Sequence, residues 1–206
     1  MPFKEIYLIR HGETEFNRQG IIQGSGIDAD LNETGLAQAR AFYERYRQLA
    51  FDKIYISTLK RTWQTVQFFA LDGIPVEKHT GLNEISWGKY EGSKITHPPQ
   101  PYYLELISRW SKGDMHFSIG GGESPQNVAL RQQDVIDIIF SRREEKRIVI
   151  CMHGRAMRIF LCKLLGRPLH QMDAFQHSNT SLYHLIYDYN DASIYINRQN
   201  CVRHLH

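Results

Sequence analysis

Ile6-Tyr7-Leu8-Ile9-Arg10-His11-Gly12 is an apolar run that ends abruptly in charge. Four consecutive apolar side chains, two of them β-branched, describe a strand buried on both faces. Such a strand delivers Arg10 and His11 at its carboxyl end. The arrangement recurs twice: Lys53-Ile54-Tyr55-Ile56 runs into Ser57-Thr58, and Arg147-Ile148-Val149-Ile150-Cys151-Met152 runs into His153-Gly154. A helical pattern follows each strand. After a polar, Gly-rich loop from Gly20 to Asp30, Asn32 caps a helix striped by Leu36, Ala39, Tyr43, Tyr46 and Ala50. Leu59, Trp63, Val66 and Ala70 stripe the second helix, and Ile159, Phe160 and Leu164 the third. Strands alternating with helices predict an α/β fold, a three-layer sandwich whose mostly parallel central sheet carries helices on both faces.

Residues 86 to 124 interrupt this rhythm, because Pro98, Pro99 and Pro101 oppose a long helix and Gly120-Gly121-Gly122 loosens the backbone. The stretch reads as a lid-like insertion. Ser124-Pro125 then opens a helix, marked by Val128, Val135 and Ile139, that reaches about Arg142. Leu182 to Tyr187 and Ser193 to Asn197 form a closing hairpin around Asp188-Tyr189-Asn190-Asp191. One domain over 1–206 accommodates all of it.

The chain has 206 residues, 42% apolar and 23% charged, enough for one substantial core. Its 25 basic and 22 acidic side chains are dispersed, which argues against a nucleic-acid partner. No apolar stretch approaches the roughly 18 residues of a membrane span, so no membrane partner is expected. Cys151, Cys162 and Cys201 show no pairing motif, and a reducing compartment, the cytoplasm, follows. Oligomers are compatible with these residues, but nothing among them specifies a state.

In open parallel sheets ligands bind beyond the carboxyl ends of the strands. Three strand ends here bring together Arg10, His11, Ser57, Arg61 and His153. Arg forks match phosphate oxygens through charge-assisted hydrogen bonds, and a neutral imidazole is a nitrogen nucleophile toward phosphorus. A transferable phosphoryl group is the ligand this cluster suits. Nearby guanidiniums lower the pKa of His11, whereas a bound phosphate raises it. His153 fits as a donor to the equatorial oxygens, a role that gains from full protonation.

These residues resemble the histidine phosphatase superfamily, in its phosphoglycerate mutase-like branch. Arg10-His11-Gly12-Glu13-Thr14 is similar to that family's signature, and Asn17 falls where it places a phosphate-contacting Asn. Leu31 to Ala39, Ser57 to Thr65, Glu84 with Gly88 and Glu91-Gly92, Gly122-Glu123-Ser124 and His153-Gly154 continue the likeness in order. Lys60, Thr62, Trp63 and Cys151-Met152 depart from the commonest pattern without removing a catalytic group. The resemblance implies that His11 becomes a phosphohistidine. It also implies that Arg10, Arg61 and His153 hold the phosphoryl oxygens and that Glu84 protonates the leaving group.

An alkoxide leaves poorly unless protonated, and the same carboxylate can then activate water, so Glu84 suits both half-reactions. The segment Ser86-Trp87-Gly88-Lys89-Tyr90-Glu91-Gly92 is nearer the phosphatase form than the longer basic insertion of cofactor-dependent mutases. The expected activity is hydrolysis of a small phosphorylated substrate, with cofactor-dependent phosphoglycerate mutase as the alternative. No metal or other cofactor is expected, since neither His-x3-His nor Cys-x2-Cys spacing occurs. Trp87, Tyr90, Lys94, Tyr102, Tyr103 and Trp110 either bind the organic part of a substrate or pack the insertion onto the core. His204 and His206 read as a frayed tail.

Overall fold

A computed structural model describes residues 2–96 and 99–206. Pro98, one of the expected helix breakers, lies outside them. The first buried strand, β1 (Phe3–Arg10), pairs in parallel with β4 (Arg147–Met152). Beyond β4 lie β2 (Lys53–Ile56) and the short edge strand β3 (Val76–Lys78), both parallel to it. On the other side β5 (Leu182–Asp188) runs antiparallel to β1, and β6 (Ser193–Cys201) closes the hairpin. The order β3-β2-β4-β1-β5-β6 is therefore a four-stranded parallel sheet extended by a hairpin, as expected. Only β3 has no counterpart in the sequence reading, because three residues of mixed polarity carry no usable period.

Alternating side chains of the sheet feed two cores. Tyr7, Ile9, Ile54, Ile56, Val149 and Cys151 face α2 (Glu33–Tyr46) and α3 (Lys60–Leu71). Ile6, Leu8, Ile148, Ile150 and Met152 face α5 (Pro125–Ser141) and α6 (Gly154–Leu164). The caps are as the sequence indicates: Asn32 Oδ1 accepts from the Gly35 N–H at 2.8 Å, and Ser124 Oγ accepts from the Asn127 N–H at 3.2 Å.

Several expectations are corrected. The buried face of α2 is Gly35, Ala39, Phe42 and Tyr46, while Leu36 is 40% exposed and Ala50 lies beyond the helix end. Steps of 3 and 4 permit either stripe, and Phe42 decides it by packing against Phe69 and His204. On α3, Val66 is buried as expected, but Trp63 is 39% exposed, with Lys78 Nζ over its ring, and Arg61, Thr62 and Thr65 are buried as well. His204 is no frayed tail: its Nε2 meets Thr180 Oγ1 at 3.1 Å and its ring packs edge-on to Phe42.

The described residues between 86 and 124 are more ordered than their composition suggests. Pro101 does not prevent a helix but opens one, α4 (Pro101–Ser111), at the first helical position where its missing N–H is harmless. Trp110 is buried and donates to the Phe117 carbonyl at 2.9 Å, so it packs the segment onto the core. Gly120 and Gly122 are not loose either. Lys89 N–H donates to the Gly120 carbonyl at 2.9 Å, and a Cβ on Gly122 would lie 2.4 Å from the Ser86 carbonyl oxygen. Close backbone contact requires glycine at 122, and a left-handed φ of 61° favours it at 120.

Candidate active site

The site grows from the end of β1. His11 N–H donates to the Met152 carbonyl at 3.0 Å, and Gly12 N–H donates to Thr65 Oγ1 of α3 at 3.0 Å. A Cβ on Gly12 would stand 2.6 Å from the Gly35 carbonyl oxygen, so only glycine lets the start of α2 close on this turn. His11 is 3% exposed yet lines an open cleft of about 280 Å³. Its Nδ1 lies 2.7 Å from the Gly12 carbonyl oxygen, which can only accept. The ring proton therefore sits on Nδ1, and Nε2 carries the lone pair. Burial, then the charges of Arg61 and Arg10, holds the His11 pKa well below the usual 6.5.

Arg10, Asn17 and Glu84 line the same cleft. Burial pulls the Arg10 guanidinium down to about 10, and its Nε is buried without a partner among the described residues. Asn17 sits in the short helix α1 (Glu15–Arg18), where its Oδ1 accepts from the Thr14 N–H and from Asn179 Nδ2. That fixes the amide and turns its donor end away from them. Glu84 follows the turn Thr80–Leu82 and reaches the amino end of α6. Its Oε1 accepts from Ile85 and Ala156 N–H at 2.9 and 2.8 Å, and its Oε2 from Arg155 N–H at 3.1 Å. The Arg155 and Ala156 groups are orphan donors of a helix start, where negative charge is favoured.

Arg61 and His153 stand behind His11 instead of lining the cleft. Arg61 is fully buried; its NH1 and NH2 donate to the Ile27 and Gly24 carbonyls at 2.6 and 3.2 Å. Its Nε donates to His153 Nδ1 at 3.1 Å, so His153 carries its proton on Nε2, 2.8 Å from Ser57 Oγ. The two imidazole centroids are 5.1 Å apart. Burial and the Arg61 charge hold the His153 pKa well below 6.5, which corrects the expectation of a protonated ring.

Four further residues of the cleft escaped the sequence reading. Arg155 and Arg158 follow His153-Gly154 by one turn of α6, a position the strand-end rule already marks. Gln23 donates from Nε2 to Thr14 Oγ1 at 2.7 Å. His177 comes from the loop before β5 and has no local signal; its Nδ1 lies 3.4 Å from Arg10 NH1. A Cβ on Gly154 would come within 2.7 Å of the His177 ring, so that glycine seats the histidine. Outside the cleft, Arg131 pairs with Glu123 and donates to the Asn83 and Glu84 carbonyls at 2.9 and 3.1 Å, which fixes the turn bearing Glu84. A larger depression of about 520 Å³ beside Arg198, Cys201 and His206 gathers no comparable cluster.

Burial also keeps His177 (about 3), His204 (about 4) and His184 below 6.5. Together with His11 and His153 these rings titrate near 6.5 once unfolded, so below that pH the unfolded chain binds more protons. The stability they contribute is complete above about pH 6.5 and is lost as pH falls toward their folded values, by up to about 1.4 kcal/mol per ring and pH unit. Glu77, held at about 2 by its hydrogen bonds to Arg142, keeps its full contribution in that window and loses it only as pH falls from about 4.5 toward 2. Urea midpoints are therefore expected to fall steeply between pH 6.5 and 5, and a flat profile there would contradict the neutral assignment.

The family model of the histidine phosphatase superfamily (branch 1) matches residues 6–200. A metal-independent phosphoserine phosphatase of Arabidopsis thaliana is 34% identical over 174 residues, covering 78% of this chain and 68% of that protein. A probable phosphoglycerate mutase GpmB of Erwinia tasmaniensis is 31% identical over 80% of this chain and 76% of its own length. Among solved structures, a phosphoserine phosphatase of Entamoeba histolytica in complex with 3-phosphoglyceric acid superposes with a TM-score of 0.84. It is 28% identical and covers 98% of this chain and 100% of that one.

Proposed function

The chain belongs to the histidine phosphatase superfamily, and from that premise we propose that it is a metal-independent phosphomonoester hydrolase whose nucleophile is His11. The tautomer of His11 carries this reading: Nδ1–H is committed to the Gly12 carbonyl, and the Nε2 lone pair belongs to a ring kept neutral among guanidiniums. Nε2 attacks phosphorus, the ester P–O bond breaks, and a proton from Glu84 goes to the departing oxygen. Water then attacks the phosphohistidine, Glu84 takes its proton, and inorganic phosphate leaves with Nε2 restored.

Arg10 is the phosphate-binding guanidinium of the cleft, since its buried, unpartnered Nε lacks an acceptor that a phosphoryl oxygen supplies. Asn17 adds an amide donor. Arg61 contributes positive charge from behind the nucleophile, and His153, hydrogen-bonded to Arg61 and Ser57, positions it there. The 86–124 segment, whose Trp87 and Tyr103 stand on the cleft wall, covers the substrate as part of one domain. Three free cysteines favour a reducing compartment such as the cytoplasm.

The test is phosphate release, with chelator present, from p-nitrophenyl phosphate, O-phosphoserine and 3-phosphoglycerate, the last with and without 2,3-bisphosphoglycerate. Release that needs no metal and no bisphosphate is expected. Efficient conversion of 3- to 2-phosphoglycerate with little free phosphate would replace the hydrolase with a mutase.

A further inference from the structure

We propose that Arg155 and Arg158 form a second anion subsite, which takes a carboxylate on the organic part of the substrate. The inference rests on the hydrolase reading and names its substrate class: small phosphomonoesters that also carry a carboxylate.

Three guanidiniums line the cleft, and Arg10 accounts for only one of them. Arg155 and Arg158 stand three residues apart on α6 and share one counter-ion: both NH1 groups reach Asp173 Oδ1, that of Arg155 at 2.6 Å. Two cations on one carboxylate leave one positive charge in excess. Asp173 does not line the cleft, whereas both arginines do. Arg158 also donates from Nε to the Phe175 carbonyl at 2.9 Å, which fixes its plane. Nε and NH2 of Arg155 and NH2 of Arg158 make no hydrogen bond among the described residues. The Arg155 guanidinium lies 5.4 Å from the centre of the Trp110 ring, so it is held in place before any ligand arrives. His177 lines the same cleft, and its Nδ1 accepts from Arg10 NH1 at 3.4 Å, so its ring proton sits on Nε2.

One excess charge with free, fork-shaped donors fits a single carboxylate better than a second phosphate dianion. The phosphoryl end is already supplied by Arg10, Asn17 and the His11 region, so the carboxylate end lies toward α6.

Matched pairs test this: O-phosphoserine against O-phosphoethanolamine, and 3-phosphoglycerate against glycerol 3-phosphate, which differ in the carboxylate. The wild-type protein is expected to favour the carboxylated member by tenfold or more in kcat/KM. Arg155→Gln and Arg158→Gln are expected to bring that ratio toward one, chiefly by raising KM for the carboxylated member. A wild-type ratio near one, equal losses for both members in the variants, or preference for a sugar bisphosphate without a carboxylate would overturn the subsite. If no ester is hydrolysed at all, the hydrolase reading fails. Calorimetric Kd values for 3-phosphoglycerate and glycerol 3-phosphate then still decide the subsite.

Discussion

His11→Ala is expected to lower phosphate release from every ester by on the order of 10³-fold or more, because it removes the imidazole that the proposed mechanism bonds to phosphorus. The variant should remain folded. His11 contributes one hydrogen bond, to the Gly12 carbonyl, and the turn keeps its anchors from Gly12 N–H to Thr65 and from the residue-11 N–H to Met152. A loss of about 1–3 kcal/mol in stability is the most that a small cavity and one hydrogen bond require. Steady-state rates with p-nitrophenyl phosphate, together with a thermal melt, separate the two effects. Brief mixing with labelled substrate and an alkaline quench should trap a label that acid removes, the signature of a phosphorus–nitrogen bond, in the wild-type protein only. A folded His11→Ala variant with undiminished activity would end the mechanism.

Glu84→Gln should cost kcat about 10²- to 10⁴-fold on alkyl phosphates, the range that positioned proton transfer supplies. The loss should be much smaller with p-nitrophenyl phosphate, whose leaving group departs without a proton. Geometry adds a second consequence. Both carboxylate oxygens accept backbone N–H groups, so the glutamine NH2 must face one of the donors from Ile85, Arg155 or Ala156. A donor against a donor pushes the amide or the helix start aside, at a cost of about 1–3 kcal/mol. Glu84→Gln is therefore expected to be less stable than the wild-type protein as well as slower. Equal losses on good and poor leaving groups would assign Glu84 to holding the amino end of α6 and not to proton transfer.

The same contacts explain how Glu84 was visible in the sequence yet incompletely described. Its chemistry follows from what an alkoxide needs, and its position from a likeness of motifs. That it would cap α6 through Ala156 and Arg155, 72 and 71 residues away, follows from neither. The polar face of α3 teaches a related lesson. A search for apolar steps selects Trp63 together with Val66; Val66 is buried, but Trp63 is exposed and Arg61, Thr62 and Thr65 are buried too, because this helix turns part of its polar side toward the site. Sequence periodicity misleads where function overrides the usual separation of polar and apolar faces.

What the sequence determined by itself was the frame: three buried strands that each stop at a polar or charged residue, the helices behind them and the closing hairpin, with Arg10, His11 and His153 placed at strand ends. Local patterning suffices for that, since strand burial and helix stripes are written in neighbouring residues. Only the tertiary structure decided that His11 is the neutral Nδ1–H tautomer, that His153 is neutral and faces Ser57, and that Arg155, Arg158 and His177 share the cleft with Arg10. Protonation depends on desolvation and on charges acting through space, and a cleft wall depends on which distant segments meet. Neither quantity is carried by sequence spacing.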